Sequence, residues 1–207
     1  NGIFSNGRMN ETRKIIEKAL DHGLYVVVRP PGVCPGGIKV DGYYQDYLLK
    51  VWDIVSSNTN IKKHSGQVSI ELANEPVNIY DADSLESARA PYDFFQPIVD
   101  KIRANGFDGI IWVPGTGWQS NYTCYKSNPI EGYNIGYAVH AYVGWYNNSD
   151  ENANGETFIQ EFGKAVPVVN TNPVIITEVD WSPEKEGEGH YDEHGNWVPA
   201  NWGTWAT

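Results

Sequence analysis

The strongest constraint on the fold of this chain is the regular alternation of continuously apolar runs with amphipathic segments. The apolar runs are predicted to be buried strands, because a strand with two apolar faces is typical of a parallel sheet covered by helices. The amphipathic segments repeat apolar side chains about every 3.6 residues and are predicted to be helices, the first of them capped by Asn10. The strands are predicted at 24–28, 67–73, 109–113, 135–142 and 173–179, and the helices at 10–23, 44–55, 91–106 and 158–169.

Strands that alternate with helices form βαβ units, which leaves an open doubly wound sheet or a closed (β/α)8 TIM barrel. No glycine-rich nucleotide-binding pattern follows any predicted strand, although such a pattern is typical of the open sheet. The loops after the strands are rich in Trp, Asn, His and Glu, and barrel active sites lie at that end of the strands. We therefore expect a barrel. Residues 1–207 would form one partial domain of it, with five strands of eight and none in the tail 182–207.

The composition narrows the classes of partner. The chain has 15 Lys and Arg against 26 Asp and Glu, a net charge of -11, which argues against a nucleic-acid partner because phosphate binding needs clustered cations. Its apolar runs are far shorter than the roughly 20 residues of a membrane helix, so no membrane partner is expected. Aromatic residues make up 13% of the chain and include 8 Trp. Flat aromatic faces with a polar edge are suited to sugar rings, so a neutral carbohydrate is the favoured ligand.

Two glutamates occupy the same predicted setting, at the carboxyl end of a buried strand. Glu75 closes the run 68–76, and Glu178 closes the run that begins at residue 173. They are far apart in the chain, so only a closed fold brings them together. Two carboxylates that flank a glycosidic bond are what glycoside hydrolysis requires. Taken alone, a glutamate at a strand end is more often a solvated loop residue or an ion-pair partner.

The neighbours of these glutamates form an ordered set of motifs. Asn-Glu-Pro at 74–76, His-Ala-Tyr at 140–142 and Glu178 with Trp181 each occur at a predicted strand end. In these motifs the sequence resembles glycoside hydrolase family five, the cellulase family of retaining (β/α)8-barrel enzymes, from about residue 10 to residue 181. The resemblance implies that the Glu of the first motif is the general acid/base and that Glu178 is the nucleophile.

The resemblance also implies roles for their neighbours. Asn74 is expected to bind the sugar 2-hydroxyl, and His140 and Tyr142 are expected to contact the nucleophile and the acid/base region. Loop tryptophans that follow the third, fourth and fifth strands are candidates for stacking on sugar rings, although a structural role is an equal alternative. They are Trp118, Trp145 and Trp181.

The chain departs from the family pattern at both ends. The strand that carries an active-site Arg and the last strand, with its sugar-stacking Trp, have no counterpart here, so the chain resembles the third to seventh βα units. The first strand ends in Arg29-Pro30 where the family has a His, and Arg29 is a candidate to replace part of the missing cation. Five strands alone would leave two open sheet edges. We therefore expect association with the missing barrel segments or with a second copy.

Calcium is the only metal for which the sequence offers a pattern. Residues from Asp150 to Glu161 satisfy the spacing of a calcium loop, but a predicted strand precedes them where a helix is usual. The alternative is an ordinary polar loop that leads into a helix. No other metal and no cofactor are expected, because side chains alone can carry out glycoside hydrolysis.

Together these features predict a retaining endo-β-glycosidase that cleaves internal β-1,4 bonds of plant-cell-wall glucan. Mannan or xyloglucan as substrate remains open, because loop shape decides that choice. An alternative from another class is a non-catalytic carbohydrate-binding remnant of such a barrel. A polysaccharide substrate implies a secreted, periplasmic or cell-surface location.

Overall fold

The computed structural model describes residues 6–142, 145–147, 155–179 and 185–200. Its helices and strands in chain order are α1 (Asn6–Asp21), β1 (Val26–Val28), β2 (Gly37–Lys39), α2 (Tyr43–Ser57), α3 (Thr59–Lys63), β3 (Val68–Glu71), β4 (Asn78–Tyr80), α4 (Ala90–Ala104), β5 (Ile111–Pro114), β6 (Ile135–Ala141), α5 (Gly155–Ala165), β7 (Val174–Val179), β8 (Lys185–Tyr191) and β9 (Trp197–Ala200). Short 3-10 helices cover Thr123–Lys126, Trp145–Asn147 and Pro167–Asn170.

The main sheet has five parallel strands in the order β1-β3-β5-β6-β7, so each strand of this sheet lies beside the next one of the sheet along the chain, while β2 and β4 pair with each other separately. This order is that of a barrel wall, since an open doubly wound sheet reverses direction at a switch point. All five predicted strands are confirmed, with ends that differ by no more than two residues. Because the strands are parallel, their carboxyl ends lie at the same end of the sheet, and the loops that follow them are grouped there.

The interior of the sheet is tightly packed. Every residue of β5 and β6 is buried. Gly136 lies opposite Trp112 in the register of these two strands, and a Cβ on Gly136 would come within 2.3 Å of the indole ring. On the outer side, the indole N–H of Trp52 in α2 donates to the carbonyl of Leu72 at 2.9 Å. Helix packing and backbone bonding therefore hold the strand ends that carry the site.

The prediction that 24–28 is a fully buried strand is wrong. Tyr25 is 81% exposed and Val27 is 39% exposed, because β1 is an edge strand whose sheet partner is β3. At the other edge of the sheet, Ile176 and Val179 of β7 are 44% and 52% exposed. Among the described residues, no further strand continues the sheet beyond β1 or β7.

Two other predictions need correction. Helix α1 begins at Asn6, so Asn10 lies within it and is not its cap. The tail, predicted to lack strands, contains the antiparallel hairpin β8–β9. Its turn is held by Asp192, whose Oδ1 accepts two backbone N–H bonds. The strand Lys185–Tyr191 is mostly polar, so it has no apolar pattern by which it could be predicted. Over the described ranges, the helices are too short or too polar to cross a bilayer.

Candidate active site

The structure brings both predicted catalytic glutamates to the carboxyl end of the sheet, on either side of His140. Glu75 lies just beyond β3, His140 is in β6 and Glu178 is in β7. One ring nitrogen of His140 and one carboxylate oxygen of each glutamate lie within 4.8 Å of one another. The closed curvature predicted from the sequence is therefore present locally, because Glu75 and Glu178 come from strands separated by two others.

His140 lies between the two carboxylates. The residue is fully buried, and its Nδ1 is 3.2 Å from Oε1 of Glu75 and 3.5 Å from Oε2 of Glu178. One imidazole nitrogen thus contacts both glutamates. The ring can fix the orientation of each carboxylate relative to the other.

Glu178 is held by two strong donors. The hydroxyl of Tyr142 donates to Oε2 and Nη1 of Arg29 donates to Oε1, each at 2.5 Å. Partial burial raises the pKa of Glu178, but the bonds from Tyr142 and Arg29 and the charge of His140 outweigh it, so the pKa lies below its ordinary value. The carboxylate is thereby kept ionised and fixed in orientation, as a nucleophile requires.

A β-bulge sets the direction of Glu178. Val139 pairs with Ile176 but His140 pairs with Glu178, so Thr177 is an extra residue in β7. Its Oγ1 donates to Glu71 Oε1 at 3.2 Å, while Glu178 contacts His140. Neighbouring residues of a regular strand point to opposite faces, and the bulge allows both to reach the interior network.

The environment of Glu75 differs from that of Glu178. Its backbone is left-handed, with φ of 54°, which costs a residue with a side chain about 1–3 kcal/mol. Its backbone N–H donates to Oε1 of Gln119 at 2.7 Å. Its carboxylate contacts His140, with no Arg or Tyr contact recorded in the described part of the chain.

Three polar residues near the site, two of them buried and one partly buried, were missed by sequence reasoning. Glu71 is 1% exposed and accepts bonds from Nε2 of Gln119 at 3.0 Å and from Thr177. An acidic residue inside the apolar run 68–73 was a usable signal for Glu71. Gln119 and Thr177 offered none, because a loop glutamine and a strand threonine are ordinary in both settings.

The remaining predicted residues lie around this centre. Asn74 is buried, and its Oδ1 has no hydrogen-bond partner among the residues that the structure describes. Trp118, 53% exposed, and Trp145 line a cleft of about 620 Å³ that reaches Lys164 of α5, and among the described residues its lining includes neither of the two predicted catalytic glutamates. The ring of Trp145 also packs edge to face on Tyr142, with centroids 5.0 Å apart. Trp181 lies outside the described residues.

The three central side chains have a separation at which a metal ion could be held. However, both oxygens of Glu178 already accept bonds, and the guanidinium of Arg29 places a positive charge there. This arrangement disfavours a cation. The calcium pattern stays a prediction: residues 150–154 lie outside the described ranges, and Oε1 of Glu161 is 2.6 Å from Nζ of Lys164.

Comparison with known proteins points to one family. A family model described as cellulase (glycosyl hydrolase family 5) matches residues 2–202. An endoglucanase of Halalkalibacter akibai is 26% identical over 231 residues, which cover all of this chain and 28% of that protein.

Two solved structures show the same fold. The catalytic domain of Thermobifida fusca endoglucanase Cel5A, in a variant bound to cellotetraose, has a TM-score of 0.61 and 22% identity over 91% of this chain and 57% of that chain. A β-glucanase of Saccharophagus degradans has a TM-score of 0.66 and 21% identity over 86% and 54% of the two chains. The chain thus spans little more than half of either solved chain. Because the family model matches nearly the whole sequence, the chain belongs to glycosyl hydrolase family 5, and its five-stranded sheet is part of a (β/α)8 barrel.

Proposed function

We propose that this site hydrolyses internal β-1,4 bonds of plant-cell-wall glucan by a retaining double displacement, with Glu75 as acid/base and Glu178 as nucleophile. The observation that carries the proposal is the pair of glutamates on either side of His140, in two different environments. Glu178 is held ionised by Arg29 and Tyr142, whereas Glu75 has neither partner in the described structure.

The reaction then proceeds in two steps. Glu178 attacks the anomeric carbon while Glu75 gives its proton to the departing glycosidic oxygen, which leaves a covalent glycosyl ester on Glu178. Glu75, now a carboxylate, takes a proton from water as the water attacks the same carbon and releases Glu178. His140 contacts both carboxylates and keeps their relative position fixed through the two steps.

The separation of the carboxylates supports retention. Retaining pairs lie about 5–5.5 Å apart, whereas inverting pairs lie about 6.5–9.5 Å apart to admit a water molecule. In this site a Glu75 oxygen lies within 4.8 Å of a Glu178 oxygen. This distance is shorter than the range of inverting pairs and supports retention.

The proposed substrate is a polysaccharide or oligosaccharide of β-1,4-linked glucose. Support comes from Trp145, whose ring packs on the Tyr142 that bonds Glu178, and from the cellotetraose bound to the Thermobifida fusca enzyme. Mannan and xyloglucan stay alternatives for the same site. We propose no cofactor, and a secreted, periplasmic or cell-surface location follows from a polymeric substrate. The remaining barrel segments or a second copy of the chain are the proposed protein partners.

The test is hydrolysis of a soluble glucan and of cello-oligosaccharides by the full chain, followed by proton NMR. The first product is expected in the β-configuration. Glu178→Ala should abolish hydrolysis, and added azide should restore cleavage of an activated aryl cellobioside by forming a glycosyl azide. Full activity of Glu178→Ala would refute the assignment. Binding of cello-oligosaccharides with no hydrolysis by the wild type would favour the non-catalytic alternative.

A further inference from the structure

The loop after β5 clamps the segment that carries Glu75. Residues 117–119 are three consecutive residues with a left-handed backbone, at φ of 57°, 57° and 61°. The N–H groups of the first two donate to the carbonyl oxygens of Val77 and Pro76 at 2.9 and 3.0 Å. Because two of the three have side chains, this left-handed turn is an unfavourable conformation that the surrounding bonds must hold.

The third residue of this turn, Gln119, binds the acid/base segment through its side chain. Gln119 is fully buried, and its Oε1 accepts the backbone N–H of Glu75 at 2.7 Å. Its Nε2 donates to Oε1 of Glu71 and to the carbonyl of Ala138, each at 3.0 Å. Its own carbonyl accepts the backbone N–H of His140 at 3.0 Å. One residue therefore bonds to the backbones of both Glu75 and His140.

These bonds bear on catalysis through the position of one carboxylate. The backbone of Glu75 is itself left-handed, so without a partner for its N–H the segment can relax toward an ordinary conformation. Such a rotation would carry the carboxylate away from His140 and Glu178. Proton transfer requires the acid within hydrogen-bond reach of the leaving oxygen, and a displacement of about 1 Å can cost about 100-fold in rate.

We infer that Gln119 is a positioning residue for the acid/base: it holds Glu75 in its left-handed conformation and touches no substrate. The inference rests on the proposed function. It predicts a selective defect in protonation of the leaving group, because the bonds from Arg29 and Tyr142 to Glu178 do not involve Gln119. A general loss of folding would lower the rate of hydrolysis of all substrates by the same factor.

The chain contains a matched control for this glutamine. Gln45 in α2 is also buried, and its Oε1 accepts the backbone N–H of Asp41 at 2.6 Å, a residue that is likewise left-handed at φ of 58°. Its Nε2 donates to the carbonyls of Asp93 and Phe94. Gln45 therefore has the same bonding pattern, but none of these bonds reaches a residue of the proposed site.

The experiment compares Gln119→Met with Gln45→Met in the full chain on two substrates. Cellotetraose has a leaving group that needs a proton, whereas 2,4-dinitrophenyl β-cellobioside has one that leaves without it. Rates are expressed per molecule that releases dinitrophenolate in a burst from the 2-deoxy-2-fluoro analogue, so unfolded protein is not counted. For Gln119→Met we expect kcat/KM to fall about 10- to 100-fold on cellotetraose and less than about 3-fold on the aryl substrate. For Gln45→Met we expect equal, small effects on both.

Two results would overturn the inference in distinguishable ways. A wild-type chain that hydrolyses neither substrate refutes the proposed function and the positioning role with it. If the wild type is active but kcat/KM of Gln119→Met falls equally on both substrates, as it does for Gln45→Met, the positioning role alone is refuted.

A second variant covers the case in which Gln119→Met does not fold. Gln119→Glu keeps an oxygen for the N–H of Glu75, but its other oxygen faces two acceptors, on Glu71 and Ala138, and must carry a proton. We expect this variant to resemble the wild type at low pH and to lose cellotetraose cleavage selectively as the pH rises. A substrate ratio independent of pH, equal to that of the wild type, would contradict the role of the bond.

Discussion

The two halves of the candidate site are built in different ways. Glu75 and His140 come from interior strands, and buried hydrogen bonds through Gln119 join their backbones. Glu178 comes from the edge strand β7, and its partner Arg29 follows the opposite edge strand β1. Their ion pair joins the two edges of the sheet at the carboxyl ends of its strands. The side chain of Arg29 is 31% exposed and that of Glu178 is 27% exposed.

This difference separates two physical means of placing a carboxylate. In the interior half, close packing and satisfied buried bonds leave Glu75 one position. In the edge half, a bulge and a partly exposed ion pair orient Glu178, and salt screens such an ion pair. We therefore expect substitutions that change packing to affect mainly the interior half, and changes in charge or salt concentration to affect mainly the edge half.

The largest expected effect concerns the two glutamates themselves. Glu178→Gln should reduce hydrolysis of every substrate to the background rate, because no glycosyl ester can form. In Glu75→Gln, kcat/KM should fall about 10²–10⁴-fold on cello-oligosaccharides but far less on 2,4-dinitrophenyl β-cellobioside, since the leaving group of the latter needs no proton. Steady-state kcat/KM on both substrates checks this. An equal loss for both variants on both substrates would remove the distinction between acid/base and nucleophile.

The next effect is on stability and compares two isoleucines. Ile111 in β5 is fully buried, whereas Ile176 in β7 is 44% exposed. Ile111→Ala should lower the free energy of unfolding by about 2–5 kcal/mol, because it leaves a cavity. Ile176→Ala should cost about 1 kcal/mol or less. Urea denaturation followed by tryptophan fluorescence measures both. Similar losses would show that β7 is covered in solution by a partner.

The third effect is on association. Open edges with exposed apolar side chains pair readily with other strands, and lysine blocks such pairing. We expect the 207-residue chain to self-associate at micromolar concentration, and Val27→Lys with Val179→Lys to shift it toward monomer in sedimentation velocity. Matching lysine substitutions at exposed positions of α2, such as Ile54, should leave the distribution unchanged. A monodisperse wild-type monomer would contradict this expectation.

The smallest effect is a displacement of the pH profile. As the proposed nucleophile, Glu178 must be ionised, so kcat/KM is expected to fall as the pH drops through its pKa, which Tyr142 and Arg29 help to lower. Tyr142→Phe or Arg29→Met removes one lowering contribution and raises that pKa. The acid limb of the profile should therefore move to higher pH, and 1 M salt should move it further in Tyr142→Phe than in Arg29→Met. A shift to lower pH would contradict the bonding described here.

The sequence predicted the interior of the fold better than its edges. Strands β5 and β6 are apolar on both faces, so they could be recognised locally. The exposure of Tyr25 and Val179 depends on which strands lie beside them, which a single segment does not encode. The hairpin β8–β9 was missed because a two-stranded polar ribbon buries no apolar face.

The site residues that could be predicted are those that stand in a recognisable local sequence motif. Glu75 and Glu178 could be proposed because each closes an apolar run within a recognisable motif. Gln119 could not, since its role arises from a left-handed turn and from contacts with residues 44 and 48 positions earlier. Arg29 was a candidate cation on sequence grounds, but its contact with Glu178, 149 residues later, depends on the curvature of the whole sheet.

The most direct test of the central claim is to identify the residue that carries the covalent intermediate. The chain is incubated with 2,4-dinitrophenyl 2-deoxy-2-fluoro-β-cellobioside, digested and sequenced by mass spectrometry, with Glu178→Gln as the unlabelled control. We expect one fluorocellobiosyl ester, located on Glu178. A label on Glu75 or on another residue would contradict the account, as would turnover of the normal substrate by protein that accumulates no labelled species.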